Sequence, residues 1–104
     1  MREVRAYPEL ESTVGHTARL KNINGDYEEW EVIDEVRVQQ NEEKIIIHQK
    51  LKAQDDSIEL RLGYYIIGKK PRNRNKWVWG QFCTMMPTNV FEQIIQLTRD
   101  KGWL

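Results

Sequence analysis

Between residues 14 and 83, apolar side chains recur at every second position, with Val, Ile, Trp and Tyr carrying most of the signal. A period of two sends alternate residues to opposite faces of a strand, and β-branched and aromatic residues suit that conformation. Five strands are predicted, at about 14–21, 27–39, 44–53, 58–68 and 76–83. After them the period changes. Phe91, Ile94, Ile95 and Thr98 fall at i, i+3, i+4 and i+7, one face of a helix over about 88–101. Asn89 with Glu92 three residues on resembles a capping box, with Pro87 as an alternative opening of the first turn. Lys101-Gly102 supplies a cation and a stop at the other end. Trp103 is expected to fold back onto the core.

The turns set the registers. Asn22-Ile23-Asn24-Gly25-Asp26 permits a two-residue Asn24-Gly25 turn. That turn would set Ala18 and Leu20 opposite Glu31 and Glu29. A three-residue loop with Gly25 in the left-handed region pairs Asn22 with Asp26 instead, so that Ala18 faces Trp30 and His16 faces Val32. The second register keeps the apolar set together and is preferred, because a one-residue slip would turn it to water. A four-residue loop at 40–43 pairs Val38 with Ile45, Val36 with Ile47 and Val32 with Leu51. A four-residue loop at 54–57 pairs Ala53 with Ile58, Leu51 with Leu60 and Ile47 with Tyr64. One face then carries Ala18, Leu20, Trp30, Val32, Val36, Val38, Ile45, Ile47, Leu51, Ile58, Leu60, Leu62, Tyr64 and Ile66. The reverse carries Glu31, Arg37, His48, Lys50, Lys52, Glu59 and Arg61.

An apolar face needs a cover, and the C-terminal helix is the available one. The expected fold is α+β: a five-stranded antiparallel meander with one helix packed on its apolar face, as a single domain over 1–104. Residues 1–13 carry no clear pattern beyond a short arm or turn at Glu9-Leu10-Glu11.

Composition narrows the class. The chain has 104 residues, 39% hydrophobic and 31% charged, with four Trp, four Tyr and a mean hydropathy of −0.73. That is polar, yet aromatic enough for a packed core. One cysteine excludes an internal disulfide framework and a Cys-rich zinc site. No apolar run approaches the ~18 residues of a membrane span, and Met1-Arg2-Glu3-Val4-Arg5 lacks the apolar stretch of a signal peptide. A cytoplasmic location is expected.

Charge alters this picture only when it is divided. The 16 basic and 16 acidic residues cancel. Residues 1–60 hold 8 basic and 14 acidic side chains, whereas 61–104 hold 8 basic and 2 acidic. The basic half has a focus at 69–76, where Lys69, Lys70, Arg72, Arg74 and Lys76 occur with no acid among them.

Catalytic chemistry finds little support. A nucleophile would need Cys83 or a serine beside a base, and the candidate bases, His16 and His48, fall on other strands. Cys83 reads as an ordinary residue at a strand end. His16 reads as a core-edge histidine bonded to backbone, and His48 lies on the polar face. Two histidines and one distant cysteine give no metal-ligand spacing. Glu42-Glu43 and Asp55-Asp56 fall in hairpin loops, where acids are ordinary turn formers. Glu42-x-Lys44 matches the carboxylate-x-lysine element of restriction-type nucleases without the preceding Pro-Asp. Gly63 and Gly68 open no helix, so no phosphate loop is formed. No enzyme and no cofactor are expected.

The remaining constellation is Tyr64-Tyr65-Ile66-Ile67-Gly68, the basic loop, and Lys76-Trp77-Val78-Trp79-Gly80-Gln81-Phe82. The orientation of the fifth strand is open. If Val78, Gly80 and Phe82 face the helix, Gly80 allows the helix close and Trp77 and Trp79 emerge on the reverse. Trp77 then pairs with Ile67 and Trp79 with Tyr65, giving an aromatic strip beside five cations. Aromatic platforms in a basic groove bind single-stranded nucleic acid. In the other orientation the two tryptophans fill the core under the helix.

The order of several antiparallel strands followed by one helix, over about 27–104, is similar to the single-stranded-DNA-binding domains of the Whirly type. That resemblance is architectural, implies dimers that bind strands through basic and aromatic sheet residues, and transfers no functional residue. The expected function is a non-catalytic nucleic-acid-binding module. Lys69, Lys70, Arg72, Arg74 and Lys76 would hold phosphates, while Tyr65, Trp77 and Trp79 stack on bases or brace the loop. The alternative is a protein-interaction module. In it the reverse face, with Ile33, Ile46, Tyr65 and Ile67, is buried in a homodimer, and the acidic half of one subunit meets the basic half of another.

Overall fold

The structure is a computed structural model, and it describes residues 7–104. The segment Met1–Arg5, on which the signal-peptide expectation rests, lies outside the described residues. Five antiparallel strands form one curled sheet in sequence order: β1 (Thr17–Lys21), β2 (Tyr27–Asn41), β3 (Lys44–Ala53), β4 (Ile58–Ile67) and β5 (Trp77–Trp79). A single helix, α1 (Thr88–Asp100), follows. The expected α+β meander is the fold. No helix among the described residues is long and apolar enough to cross a membrane.

The first hairpin has the expected register. Ala18 pairs with Trp30, the His16 carbonyl accepts the Val32 N–H at 2.9 Å, and Gly25 sits at φ +84° in a three-residue loop closed by Asn22 and Asp26. The β3–β4 connection uses the same device rather than the four-residue loop expected at 54–57. The Ala53 N–H donates to the Ser57 carbonyl at 2.9 Å, and Asp56 takes the left-handed position at φ +69°. Aspartate tolerates that region better than most residues with a Cβ. The register therefore moves by one, so Lys52 pairs with Ile58 and Ile46 with Tyr64.

The β2–β3 pairing departs from expectation at two bulges. Val32 pairs with Leu51 as expected, but Ile33 is an extra residue, after which Val36 faces His48 and Val38 faces Ile46. Gln40 is a second extra residue, and the connection shortens to a two-residue Glu42-Glu43 turn between Asn41 and Lys44. Each bulge shifts side-chain parity along β2.

The predicted single apolar face is thus divided between both sides of the sheet. On the helix side Val38, Ile46 and Tyr64 pack with Val90 and Ile94 of α1. On the other side Trp30, Val32 and Leu51 pack with Ala18, Leu20 and Ala53. Ile46 and Ile47 point in opposite directions and both are 0% exposed. Central β3 is a wall with two buried faces, the pattern of a strand covered on each side.

The helix buries Val90, Ile94 and Thr98, a face rotated from the predicted one, and leaves Phe91 exposed. Pro87 is its N-cap and no side chain caps it, so the Asn89–Glu92 box is not formed. At the other end Gly102 (φ +76°) donates to the Arg99 carbonyl at 2.9 Å and Trp103 to Thr98 at 3.2 Å, the paired bonds of a Schellman stop. Trp103 returns to the sheet, as expected. Its indole meets the His48 ring edge-on at 5.3 Å, and its Nε1–H donates to Asp34 at 3.3 Å.

His48 is therefore not on the polar reverse face. It lies on the helix side with Lys50 and Lys52, because the shifted register reverses their parity. Its Nδ1 is 2.8 Å from the Thr98 hydroxyl, which itself donates to the Ile94 carbonyl at 2.7 Å. That hydroxyl proton is committed, so Nδ1 carries the proton donated to Thr98. Burial holds the imidazole below its ordinary pKa. His16 is exposed at the start of β1 and is not a core-edge residue.

The arm at 7–13 crosses the reverse face, where it supplies the second cover. Thr13 is 4% exposed, and its N–H donates to Glu35 at 2.6 Å. The Thr13 hydroxyl accepts the side chain of buried Gln49 at 2.9 Å. Arg37 reaches back to the carbonyls of Leu10 (2.6 Å) and Glu11 (3.1 Å) while pairing with Glu35.

Candidate nucleic-acid interface

Strand β5 is only three residues long, shorter than the predicted 76–83, yet it has the orientation that exposes the aromatic strip. Trp77 pairs with Ile67 and Trp79 with Tyr65. Both tryptophans and Tyr65 stand on the face away from α1 and are half-buried. Gly80 admits the ring of Tyr64, not the helix: any Cβ there would collide with the Tyr64 ring atoms. The Tyr64 hydroxyl accepts the Phe82 N–H at 3.2 Å.

Each aromatic is held. The Trp77 indole N–H donates to the Pro8 carbonyl at 2.7 Å, and its ring meets Tyr7 edge-on at 6.4 Å. Trp79 packs on Gly63, where a side chain would run into its Cη2 and Cζ2 atoms. Tyr65 meets Trp79 edge-on at 5.2 Å, and the Arg61 guanidinium lies 4.5 Å from the Trp79 ring centre. Arg61 also donates through Nε (2.9 Å) and Nη2 (2.7 Å) to Gln49. Burial lowers the pKa of Arg61 and raises that of Tyr65, the latter against the pull of the neighbouring guanidinium.

The basic loop between β4 and β5 is an ordered turn. Gly68 bridges Arg74, its N–H donates to Lys76 at 2.9 Å, and its carbonyl accepts the Asn75 N–H at 3.3 Å. Asn73 donates to Lys70, and Lys76 to Asn73, at 2.9 and 3.0 Å. Asn75 occupies the left-handed region at φ +61°, and the Asn73 backbone presses so closely on Gly68 that a Cβ there would clash. Lys69 pairs with Glu43 at 2.8 Å, and Glu43 also accepts the Tyr7 hydroxyl at 3.0 Å. Lys70, Arg72, Arg74 and Lys76 are exposed, and no ion pair engages them among the described residues.

Two concavities flank this strip on the reverse face. One, of about 510 Å³, is lined by Tyr7, Leu10, Arg37, Gln39, Ile45 and Trp77. The other, of about 220 Å³, lies between β1 and Trp79 and includes His16, Arg19, Arg61 and Tyr65. Arg61, Arg37 and the arm residues Tyr7 and Pro8 belong to this surface, although sequence reasoning did not choose them. The shared parity of Arg61, Gly63 and Tyr65 was an available signal for the first; the arm contacts had none. The reverse-face apolar patch invoked for a dimer is not open: Ile67 is 3% exposed, and Ile46 lies on the helix side.

No group of three or more His, Cys, Asp or Glu residues able to hold a metal ion occurs among the described residues. Cys83 is exposed, and His48 is engaged with Thr98. No family model, no curated protein and no solved structure matches this chain.

Proposed function

We propose that this domain is a non-catalytic nucleic-acid-binding module whose contact surface is the 69–76 loop and the aromatic strip beside it. The observation that carries the reading is the coincidence of four exposed cations, free of acid partners among the described residues, with Tyr65, Trp77 and Trp79 at the same end of one face. Lys70, Arg72, Arg74 and Lys76 follow the phosphates. Lys69, tied to Glu43, anchors the loop and contributes less. Arg61 adds a cation over Trp79, and the exposed ring edges of the strip meet bases.

A hydrogen-bonded loop is favourable here, since its backbone loses little entropy on binding. Single strands fit better than duplex, because splayed bases reach aromatic rings that stacked pairs do not. A titration with single- and double-stranded oligonucleotides at several salt concentrations tests the reading. Neutralising about 3–5 phosphates gives a log–log salt slope of roughly −2 to −3.5 on a single strand. Absence of binding at low salt overturns the proposal, as does binding unchanged when the loop cations become Ser. The protein-interaction alternative expects that absence, with the loop cations serving an acidic protein surface instead.

A further inference from the structure

The outer edge of β4 is open. Strand β5 pairs only with Tyr65–Ile67, so Ile58–Gly63 has β3 on one side and no strand on the other among the described residues. Backbone direction along this edge follows from the bonds near β5. The Tyr64 carbonyl accepts the Gly80 N–H at 2.8 Å, and the Gly68 N–H donates to Lys76 at 2.9 Å, whereas the Ile67 N–H turns inward to Glu43. Even-numbered residues therefore direct their peptide groups outward, and Ile58, Leu60 and Leu62 do so where no strand meets them. The Leu62 carbonyl receives only the Thr84 hydroxyl, at 3.4 Å.

The side chains on this edge are unusual for a surface. Ile58, Leu60 and Leu62 are 46, 39 and 38% exposed, on the helix side, and Leu62 shares a groove with exposed Phe91 and Met85. Unpaired edges with apolar side chains are templates for further strand pairing unless charges or bulges block them. The charges here do not block one particular partner.

We propose that the Ile58–Leu62 edge pairs antiparallel with the same segment of a second copy of this chain, about a two-fold axis at Leu60. In that register Leu60 faces its own equivalent, and Ile58 faces the partner copy's Leu62. On the opposite face Glu59 stands across from the partner copy's Arg61, and this pair occurs twice. Centring the axis on Glu59 would set two glutamates opposite each other, and centring it on Arg61 would set two arginines. Only the Leu60 centre brings opposite charges together while matching the outward peptide groups. The surface is the rim of the sheet, away from the basic loop; it shares Arg61 with the proposed nucleic-acid surface, and the variants at Leu60 and Glu59 leave Arg61 in place.

Sedimentation velocity of the full chain over a range of concentrations up to millimolar tests it, with Leu60→Lys as the disrupting variant. A reversible dimer is expected, weakened about tenfold by Glu59→Arg and abolished by Leu60→Lys with an unchanged far-ultraviolet spectrum. In a Cys83→Ser background, Leu60→Cys is expected to oxidise to a covalent dimer. The Cα atoms of a hydrogen-bonded antiparallel pair lie about 5.5 Å apart, within disulfide reach. Ile23→Cys, at the fully exposed tip of the first hairpin, is expected to stay monomeric. A wild-type chain that remains monomeric throughout overturns the proposal. So does a dimer that neither cross-links at position 60 nor responds to Glu59→Arg. The cross-link decides the matter if Leu60→Lys fails to fold.

Discussion

Trp79 packs directly on Gly63, and the absence of a side chain at Gly63 is what lets the ring cross β4. Gly63→Ala forces the indole outward and separates it from Tyr65 and Arg61. Overpacking of this kind costs about 1–3 kcal/mol. Urea denaturation is expected to show that loss. If the strip binds nucleic acid as proposed, oligonucleotide affinity falls in the same variant at urea concentrations where it remains folded.

His48 makes stability depend on mildly acidic pH. Burial lowers its folded-state pKa below the ordinary 6.5. As pH falls through 6.5 the unfolded chain takes up the proton first, so the fold loses stability from there down to the folded-state pKa. Above 6.5 both states are neutral and the effect vanishes. Melting temperature is expected to decline between neutral pH and the acid side of 6.5, with a shallower decline in His48→Gln. Thr98→Val, which removes the acceptor of Nδ1–H, costs about 1–3 kcal/mol.

Glu35 fastens the N-terminal arm. Burial raises its pKa, but the Thr13 N–H, Arg37 and Ser12 together bring it below the ordinary 4.5. A carboxylate with a depressed folded-state pKa contributes its full stabilisation above 4.5 and loses it as pH drops through the folded value. Glu35→Ala is expected to release residues 7–13, seen as faster amide exchange at Thr13 and exposure of Gln49. The cost is about 1–3 kcal/mol from the buried donors left without a partner.

Gly102 ends the helix in the left-handed region. Gly102→Ala is expected to cost about 1 kcal/mol in denaturant unfolding. Near-ultraviolet circular dichroism reports whether Trp103 keeps its place against His48.

The parts of the fold legible from sequence are those governed by local chemistry. The Asn22–Asp26 loop announces itself through Gly25, and the pairing of Trp77 and Trp79 with Ile67 and Tyr65 follows from the length of the basic loop. The β3–β4 loop departs from the expected one because Asp56, not glycine, fills its left-handed position, a choice that composition does not mark. The faces depart from expectation for a different reason. A period of two implies one buried face, whereas Ile45, Ile46 and Ile47 are all buried, and the arm at 7–13 contributes to the cover of the second side. That arm has no periodicity, because it is held by backbone carbonyls accepting from Arg37 and Trp77 and by scattered polar side chains, Tyr7 on Glu43 and Thr13 on Gln49. Of the candidate site, the cations and aromatics were visible in the chain; the commitment of Lys69 to Glu43 and the place of Arg61 over Trp79 required the registers.

The extra residue at Ile33 has a consequence for how this chain tolerates change. It acts as a phase shift within one continuous strand, so that the buried apolar residues before it, Trp30 and Val32, answer to one compartment and Val38 after it to the other. Substitutions at Trp30 or Val32 and at Val38 thereby disturb different apolar clusters. Deleting that single residue would remove the bulge yet leave Val32 and Val36 three positions apart, so plain alternation keeps them on opposite faces and Val36 still meets His48. A loss of one residue there straightens the strand while both apolar sets keep their compartments, so the division of the core outlasts the bulge that marks it.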